Sequence, residues 1–170
     1  MNTLKTLAGF MLTMAEKYTP LRLSKHSLEG IYNYHKVNHM IVTSGQPSEE
    51  QFLLIREAGY KKVINLAPHN TENSLADEAL LLRQLGLKYI HIPVDFKNPT
   101  REDFQQFVEL INVSSLDETW FHCAANMRVS AFVYKYRCEI LNEDRQKAEQ
   151  DLAKIWTPLG VWKKFIATPQ

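Results

Sequence analysis

The chain has 170 residues, enough to bury one sizeable hydrophobic core, and its 45% hydrophobic and 23% charged residues are typical of a globular protein. The formal net charge of +1 gives no broad positive field that would attract nucleic acid or an anionic membrane. No segment approaches the roughly 20 consecutive apolar residues of a membrane span. We therefore expect residues 1–170 to form a single domain.

The first 20 residues fit two interpretations. A short apolar stretch after one early lysine resembles a weak secretory signal, but Thr6 and Thr13 interrupt that stretch. We favour an amphipathic helix that packs on the core through apolar residues at helical spacing. These residues are Leu4, Leu7, Met11 and Met14.

The rest of the chain alternates between strand and helix patterns. Two short strands are predicted first, over residues 30–37 and 39–45. They are followed by helix 47–60, strand 61–67, helix 74–87, strand 88–94, helix 100–111, strand 118–123, and helices 128–141, 145–156 and 160–166. This alternation predicts an α/β fold in which helices flank a mainly parallel central sheet.

Capping residues mark the ends of several predicted helices. Ser48 followed by Gln51 forms a capping box at the start of the second helix, and Gly59 ends that helix. Gly86 is expected to close the third helix, and Thr100 is expected to cap the fourth.

The candidate chemistry lies in residues 120–132, WFHCAANMRVSAF. Cys123 ends a predicted strand at the edge of the sheet where sites form in parallel α/β folds. The amides of the following loop and helix start would stabilise a thiolate on Cys123 and bind an oxyanion. Arg128 could hold two oxygens of that anion with its planar fork. Asn126 tolerates the left-handed backbone that a tight loop often needs.

The remaining candidate ligands give no sign of a metal or cofactor. The six histidines lack metal-binding spacing, so we expect no metal and no cofactor. Cys123 and Cys138 would lie about 20 Å apart along a helix, which is too far for a disulfide. Unpaired thiols favour a reducing compartment, the cytoplasm, and the signal-like interpretation leaves the periplasm as the alternative.

Three segments of the chain resemble a known superfamily. HCAANMRVS, residues 122–130, resembles the signature P-loop of the cysteine-dependent protein tyrosine and dual-specificity phosphatases. VTSGQPSEEQFLLIREAGYKKVINLAPHN and YIHIPVDFKNPTREDFQQFVELI resemble the small bacterial phosphatase-like domain that is also attached to beta-lactamase-like hydrolases. The resemblance implies a cysteine-phosphatase fold and a phosphorylated small molecule or phosphoprotein as substrate. It also implies that the loop binds phosphate or sulfate.

The resemblance implies a role for each residue of the loop. Cys123 would attack phosphorus and form a cysteinyl-phosphate, Arg128 would hold the equatorial oxygens, and Asp95 would be the general acid. Ser130 would assist departure of the thiolate, and His122 would support the loop by hydrogen bonding. The phosphate-binding amides would belong to Ala124, Ala125, Asn126, Met127 and Arg128.

Loop length leaves two alternatives to phosphatase activity. Four residues separate Cys123 from Arg128, whereas the phosphatase signature has five. A loop of this length is found in rhodanese-like sulfurtransferases, so Cys123 could instead transfer sulfur or carry a persulfide. A shorter cradle also has one amide fewer, so the chain could be a catalytically inactive relative that only binds an oxyanion.

Overall fold

A five-stranded β-sheet forms the centre of the fold in the computed structural model, which describes residues 2–18, 27–112 and 116–169, without the side chains at positions 2, 12–18 and 117. Its strands are β1 (His35–Lys36), β2 (Val42–Ser44), β3 (Lys62–Asn65), β4 (Lys88–His91) and β5 (Thr119–His122). Their spatial order is β1-β2-β5-β3-β4. Only β1 pairs antiparallel, so the sheet is mainly parallel, as predicted.

Seven α-helices surround the sheet in the described ranges. They are α1 (Asn2–Tyr18), α2 (Glu49–Glu57), α3 (Glu78–Gln84), α4 (Arg101–Asn112), α5 (Met127–Glu139), α6 (Arg145–Ile155) and α7 (Val161–Ala167). Ser48 and Gln51 form the predicted capping box of α2. Thr100 caps α4, because its hydroxyl accepts from the backbone amide of Asp103. The backbone amide of Thr100 in turn donates to the Asp103 carboxylate. The caps read from the sequence therefore fix where these two helices begin.

Side-chain alternation along the strands divides the core between the two faces of the sheet. Val63 of β3 and Trp120 of β5 pack with residues of α2 and α3 on one face. The next residues, Ile64 and Phe121, pack with α4, α5, α6 and α7 on the other face. This confirms the predicted α/β layering and leaves the carboxyl ends of β3 and β5 side by side.

Helix α1 confirms the predicted N-terminal helix, but the predicted packing of that helix is wrong. Leu4, Leu7 and Met11 are 73%, 48% and 63% exposed, and the Met14 side chain lies outside the described ones. The buried side chain is Thr6, whose hydroxyl donates to the carbonyl of Ile155 in α6. The inward face of α1 therefore carries Thr6 and Phe10, which packs on the core, while Leu4, Leu7 and Met11 point outward.

Several predicted boundaries also differ from the structure, most of all in the first strand, which is predicted over residues 30–37 and spans only His35–Lys36. The third helix begins at Glu78 instead of near Ser74, because the Ser74 hydroxyl donates to the carbonyls of His69 and Thr71 and holds that segment as a turn. The strand predicted to extend to residue 94 ends at His91. Within the described ranges, no helix is both long enough and apolar enough to cross a bilayer.

Candidate active site

The loop of residues 123–128 joins β5 to α5 at the carboxyl edge of the sheet. Cys123 is fully buried, and its amide donates to the carbonyl of Ser44 in β2 at 3.3 Å. Asn126 has φ 63° and ψ 0°, which is the left-handed backbone expected from the sequence. The amide of Ser130 donates to the carbonyl of Asn126, so the amides of the preceding helical turn have no acceptor inside α5. Such a helix start can bind an anion.

Polar groups outside the loop hold two of its carbonyls. The carbonyl of Ala124 accepts from Asn73 Nδ2 at 2.8 Å and from the amide of Gln46 at 3.2 Å. The carbonyl of Ala125 accepts from Asn33 Nδ2 at 3.0 Å. Because C=O and the next N–H point in opposite directions across a trans peptide, these bonds turn the following amides away from the supporting groups. The loop is thus oriented through its carbonyls.

Residues of β2 and the preceding segment approach the loop closely. Asn126 Nδ2 donates to the carbonyl of Asn33 at 2.7 Å and to Thr43 Oγ1 at 2.9 Å. At Gly45, a Cβ atom would lie 2.6 Å from Cδ1 of Tyr32 and 3.1 Å from the Ala124 carbonyl oxygen. Gly45 therefore permits a backbone approach that a side chain would obstruct.

Arg128 is held in place by a single hydrogen bond. Its side chain is buried, Nε donates to the carbonyl of Val94 at 2.9 Å, and Cζ lies 5.1 Å from the ring centroid of Phe96. Within the described part of the chain, neither Nη atom has a hydrogen-bond partner. The guanidinium is therefore oriented by the segment after β4 and keeps its paired donors for a ligand.

A buried contact between a histidine and a carboxylate lies directly before Cys123. Nε2 of His122 lies 3.2 Å from Oε1 of Glu78, and within the described residues neither ring nitrogen of His122 makes a hydrogen bond. Asn65 Nδ2 donates to the same carboxylate at 2.9 Å, and Gln46 Nε2 donates to its other oxygen. Burial raises the pKa of Glu78, but the neighbouring His122 ring and hydrogen bonds from Gln46 and Tyr89 outweigh that effect and lower the pKa to about 2. Glu78 is thus a carboxylate at neutral pH.

The other two predicted catalytic residues, Asp95 and Ser130, differ in exposure. Asp95 is exposed four residues beyond the end of β4, and its Oδ1 accepts from the amide of Lys97 at 2.9 Å. Its neighbours Val94 and Phe96 both contact Arg128, so the Asp95 segment and the loop meet through that arginine. Ser130 is buried, and its hydroxyl donates to the carbonyl of Met127 at 3.2 Å.

Several residues that support the loop are not predicted from the sequence. Asn33, Gln46, Asn73 and Glu78 contact the loop or His122, but each is far from Cys123 in the chain. One local signal was available, because asparagine tolerates left-handed backbone and Asn33 has φ 48°.

In the described ranges, no group of three or more His, Cys, Asp or Glu residues could hold a metal ion. The arrangement combines a buried thiol, unpaired amides and an oriented guanidinium, a set that can bind an oxyanion beside a nucleophile.

The sequence profile of one family matches most of the chain. Residues 16–158 match the family described as "DSP-PTPase phosphatase fused to NAD+ Kinase". The chain is also 30% identical over 95 residues to the beta-lactamase hydrolase-like protein of Xylella fastidiosa strain Temecula1. That alignment covers 54% of this chain and 22% of the relative, so the chain matches about a fifth of the length of this larger protein.

Solved structures show the same fold. A crystal structure of a candidate phosphatase of the DUF442 group from Shewanella putrefaciens CN-32 has 31% identity and a TM-score of 0.73, over 82% of this chain and 92% of that one. The core catalytic domain of the PP-IP phosphatase SIW14 from S. cerevisiae, in complex with citrate, has 17% identity and a TM-score of 0.70. Its alignment covers 82% of this chain and 86% of that domain, and shows likeness of fold alone.

Proposed function

The chain belongs to the family of DSP-PTPase phosphatases fused to NAD+ kinase, and from this premise we propose that it hydrolyses a phosphate monoester through a cysteinyl-phosphate on Cys123. The observation that carries the proposal is the placement of Arg128. Its guanidinium is buried in the first turn of α5 and bonded through Nε alone. Its two Nη groups can therefore hold equatorial phosphate oxygens beside the loop that begins at Cys123.

In the first step, Sγ of Cys123 attacks phosphorus while the bond from phosphorus to the ester oxygen breaks. Asp95 gives its proton to the leaving oxygen, which departs as an alcohol. Arg128 and the amides of residues 124–128 hold the three equatorial oxygens, whose charge is the main target of stabilisation in phosphoryl transfer. The exposed position of Asp95 lets a leaving group of varied shape reach it.

In the second step, a water molecule attacks phosphorus and the phosphorus–sulfur bond breaks. The Asp95 carboxylate takes the proton of the water, and the Ser130 hydroxyl assists departure of the Cys123 thiolate. Inorganic phosphate and the starting thiolate result, so the cycle needs no cofactor. The substrate class is a phosphorylated small molecule or phosphoprotein.

Hydrolysis of p-nitrophenyl phosphate tests the proposal, with Cys123→Ser as the diagnostic variant. Cys138→Ser is the matched control, because Cys138 is the other free cysteine and lies near the end of α5. We expect turnover by the wild type and by Cys138→Ser but not by Cys123→Ser, with thermal unfolding confirming that both variants fold. Turnover that survives in Cys123→Ser would contradict the mechanism.

The length of the loop supports one second candidate, sulfur transfer at Cys123. Four residues between cysteine and arginine match the rhodanese-like spacing. Formation of thiocyanate from thiosulfate and cyanide, lost in Cys123→Ser, would support this activity in place of hydrolysis. If both assays fail while phosphate protects Cys123 from alkylation, the chain is an oxyanion-binding relative without turnover.

A further inference from the structure

A cleft of about 360 Å³ lies beside the turn that follows Asp95. Residues of α4, α5 and α7 line it, together with the turn at Asn98 and the segment after α7. A hydrogen bond from the amide of Asn98 to the carbonyl of Asp95 connects this turn to the predicted catalytic segment. No lining residue belongs to the loop of residues 123–128, so the cleft is separate from the Cys123 site.

The charges that line this cleft are all positive. Arg101, Lys135 and Lys164 contribute to the wall, and no acidic residue does. Lys135 is already paired, because its ammonium contacts the carboxylate of Glu139 and donates to the carbonyl of Thr168. Its charge is therefore compensated inside the protein.

The other two cations are available to a ligand. Arg101 and Lys164 are exposed, and within the described residues neither makes an ion pair. Glu102 and Asp103 directly follow Arg101 in α4, but neither of them lines the cleft, and the Asp103 carboxylate accepts from the amide of Thr100. The cleft thus keeps two positive charges without an ion-pair partner in the described residues, one on α4 and one on α7.

The rest of the wall is largely apolar. Pro99, Val161 and Phe165 face the same cavity. Its volume falls within the roughly 300–1,000 Å³ of small-molecule sites, and it is larger than a single phosphate needs. An apolar wall with two unpaired cations suits a ligand that has both a charged head and an apolar body.

We propose that this cleft binds a small organic oxyanion, a phosphate or carboxylate, with its charged head on Arg101 and Lys164 and its apolar part against Phe165. The inference does not depend on hydrolysis at Cys123, because none of these side chains takes part in that reaction. Arg101 and Lys164 provide donors for the head group from two elements of the wall, and Pro99, Val161 and Phe165 provide the apolar surface for the body.

An NMR titration of the isotope-labelled wild-type chain with phenylphosphonate tests the proposal. This probe cannot be hydrolysed as an ester, and site-resolved shifts separate the cleft amides from those of residues 123–128. We expect saturable shifts at Asn98, Arg101, Lys164 and Thr168. A parallel titration with benzoate tests a carboxylate head group. Whichever of phenylphosphonate and benzoate binds more tightly identifies the preferred head group. Benzyl alcohol serves as the uncharged analogue and should not bind.

The diagnostic variant is Arg101→Gln with Lys164→Gln. The matched control is Arg56→Gln with Lys163→Gln, which removes the same charge from exposed positions outside the cleft. We expect the first pair to weaken binding at least about tenfold and the control pair to change it less than about twofold. Equal weakening by both pairs, equal binding of benzyl alcohol, or shifts confined to residues 123–128 would each overturn the proposal. None of these outcomes bears on turnover of p-nitrophenyl phosphate, which tests Cys123 separately.

Discussion

The carboxylate of Glu78 lies 3.2 Å from Nε2 of His122, and the two side chains are 3% and 0% exposed. Glu78 begins α3, and His122 ends β5 immediately before Cys123. The same carboxylate accepts from the side-chain amide of Gln46, and the backbone amide of Gln46 donates to the carbonyl of Ala124. One buried charge thus connects α3, β5 and the loop, which makes Glu78 a positioning residue.

We expect Glu78→Gln to lower the free energy of unfolding by about 3 kcal/mol at pH 7. The pKa of Glu78 is lowered from 4.5 to about 2 in the folded chain. The ionised group therefore stabilises the fold above about pH 4.5, and this contribution is lost as the pH falls towards 2. A protonated Glu78 resembles glutamine, so the wild type and the variant should converge at low pH. Urea unfolding across this pH range measures the difference.

Glu57→Gln is the control for that experiment, because Glu57 is exposed at the end of α2. It should change the free energy of unfolding by less than about 0.5 kcal/mol at any pH. A stability difference between Glu78→Gln and the wild type that stays constant from pH 7 to pH 2.5 would contradict the assigned role of the carboxylate.

Arg128→Lys should reduce kcat/KM for an aryl phosphate by about 100-fold to 1,000-fold. Lysine keeps the positive charge but loses the planar fork and the Nε donor that binds the carbonyl of Val94. Arg56→Lys makes the same change at an exposed position and should leave turnover unaltered. A loss below threefold in Arg128→Lys would mean that paired donors are not needed at this position, and the proposed role of the guanidinium would be wrong.

Local signals in the sequence were enough to predict the fold and the position of the loop. Ser48 and Gln51 determine the start of α2 through contacts within a few residues, so they can be read without the structure. The left-handed backbone of Asn126 is likewise a property of one residue and its neighbours. The alternation of strands and helices then places Cys123 at the carboxyl edge of the sheet.

Support for the loop could not be predicted, because it comes from distant parts of the chain. Glu78 looks like an ordinary acidic residue in the first turn of a helix, and only the sheet order brings it to His122. The exposed face of α1 was predicted wrongly for a related reason. Helical spacing shows that Leu4, Leu7 and Met11 share a face, but contacts of Thr6 with α6 and of Phe10 with the core turn a different face inward.

Asn73→Ala should destabilise the loop more than the rest of the fold. Its Nδ2 donates at 2.8 Å to the carbonyl of Ala124, which would keep only the amide of Gln46 as a donor. We expect a cost of about 1–2 kcal/mol in urea unfolding. Cys123 should also react faster with iodoacetamide, because local opening exposes the buried thiol.

Asn70→Ala is the matched control for Asn73→Ala, since Asn70 is an exposed asparagine three residues away. It should change neither the free energy of unfolding nor the rate of alkylation. Equal alkylation rates in the two variants would show that the Asn73 amide does not hold the loop closed.

Two substitutions at Asn126 separate its backbone role from its side-chain role. Asn126→Gly keeps the left-handed conformation at φ 63° but loses the hydrogen bonds to the Asn33 carbonyl and to Thr43. We expect it to cost about 2 kcal/mol. Asn126→Ala loses the same bonds and also places a Cβ in a conformation that costs roughly 1–2 kcal/mol. Part of that strain is offset because alanine has less freedom than glycine in the unfolded chain, so alanine should be about 1 kcal/mol less stable than glycine.

Urea unfolding and turnover of p-nitrophenyl phosphate, measured together on both Asn126 variants, distinguish the two roles. If the left-handed turn orients the amides of the loop, Asn126→Gly should retain more turnover than Asn126→Ala. If alanine matches glycine in both stability and turnover, the backbone at this position is not under constraint. The loop would then be held through its side-chain and carbonyl contacts alone. A loop with four residues between Cys123 and Arg128 would in that case not need the left-handed turn.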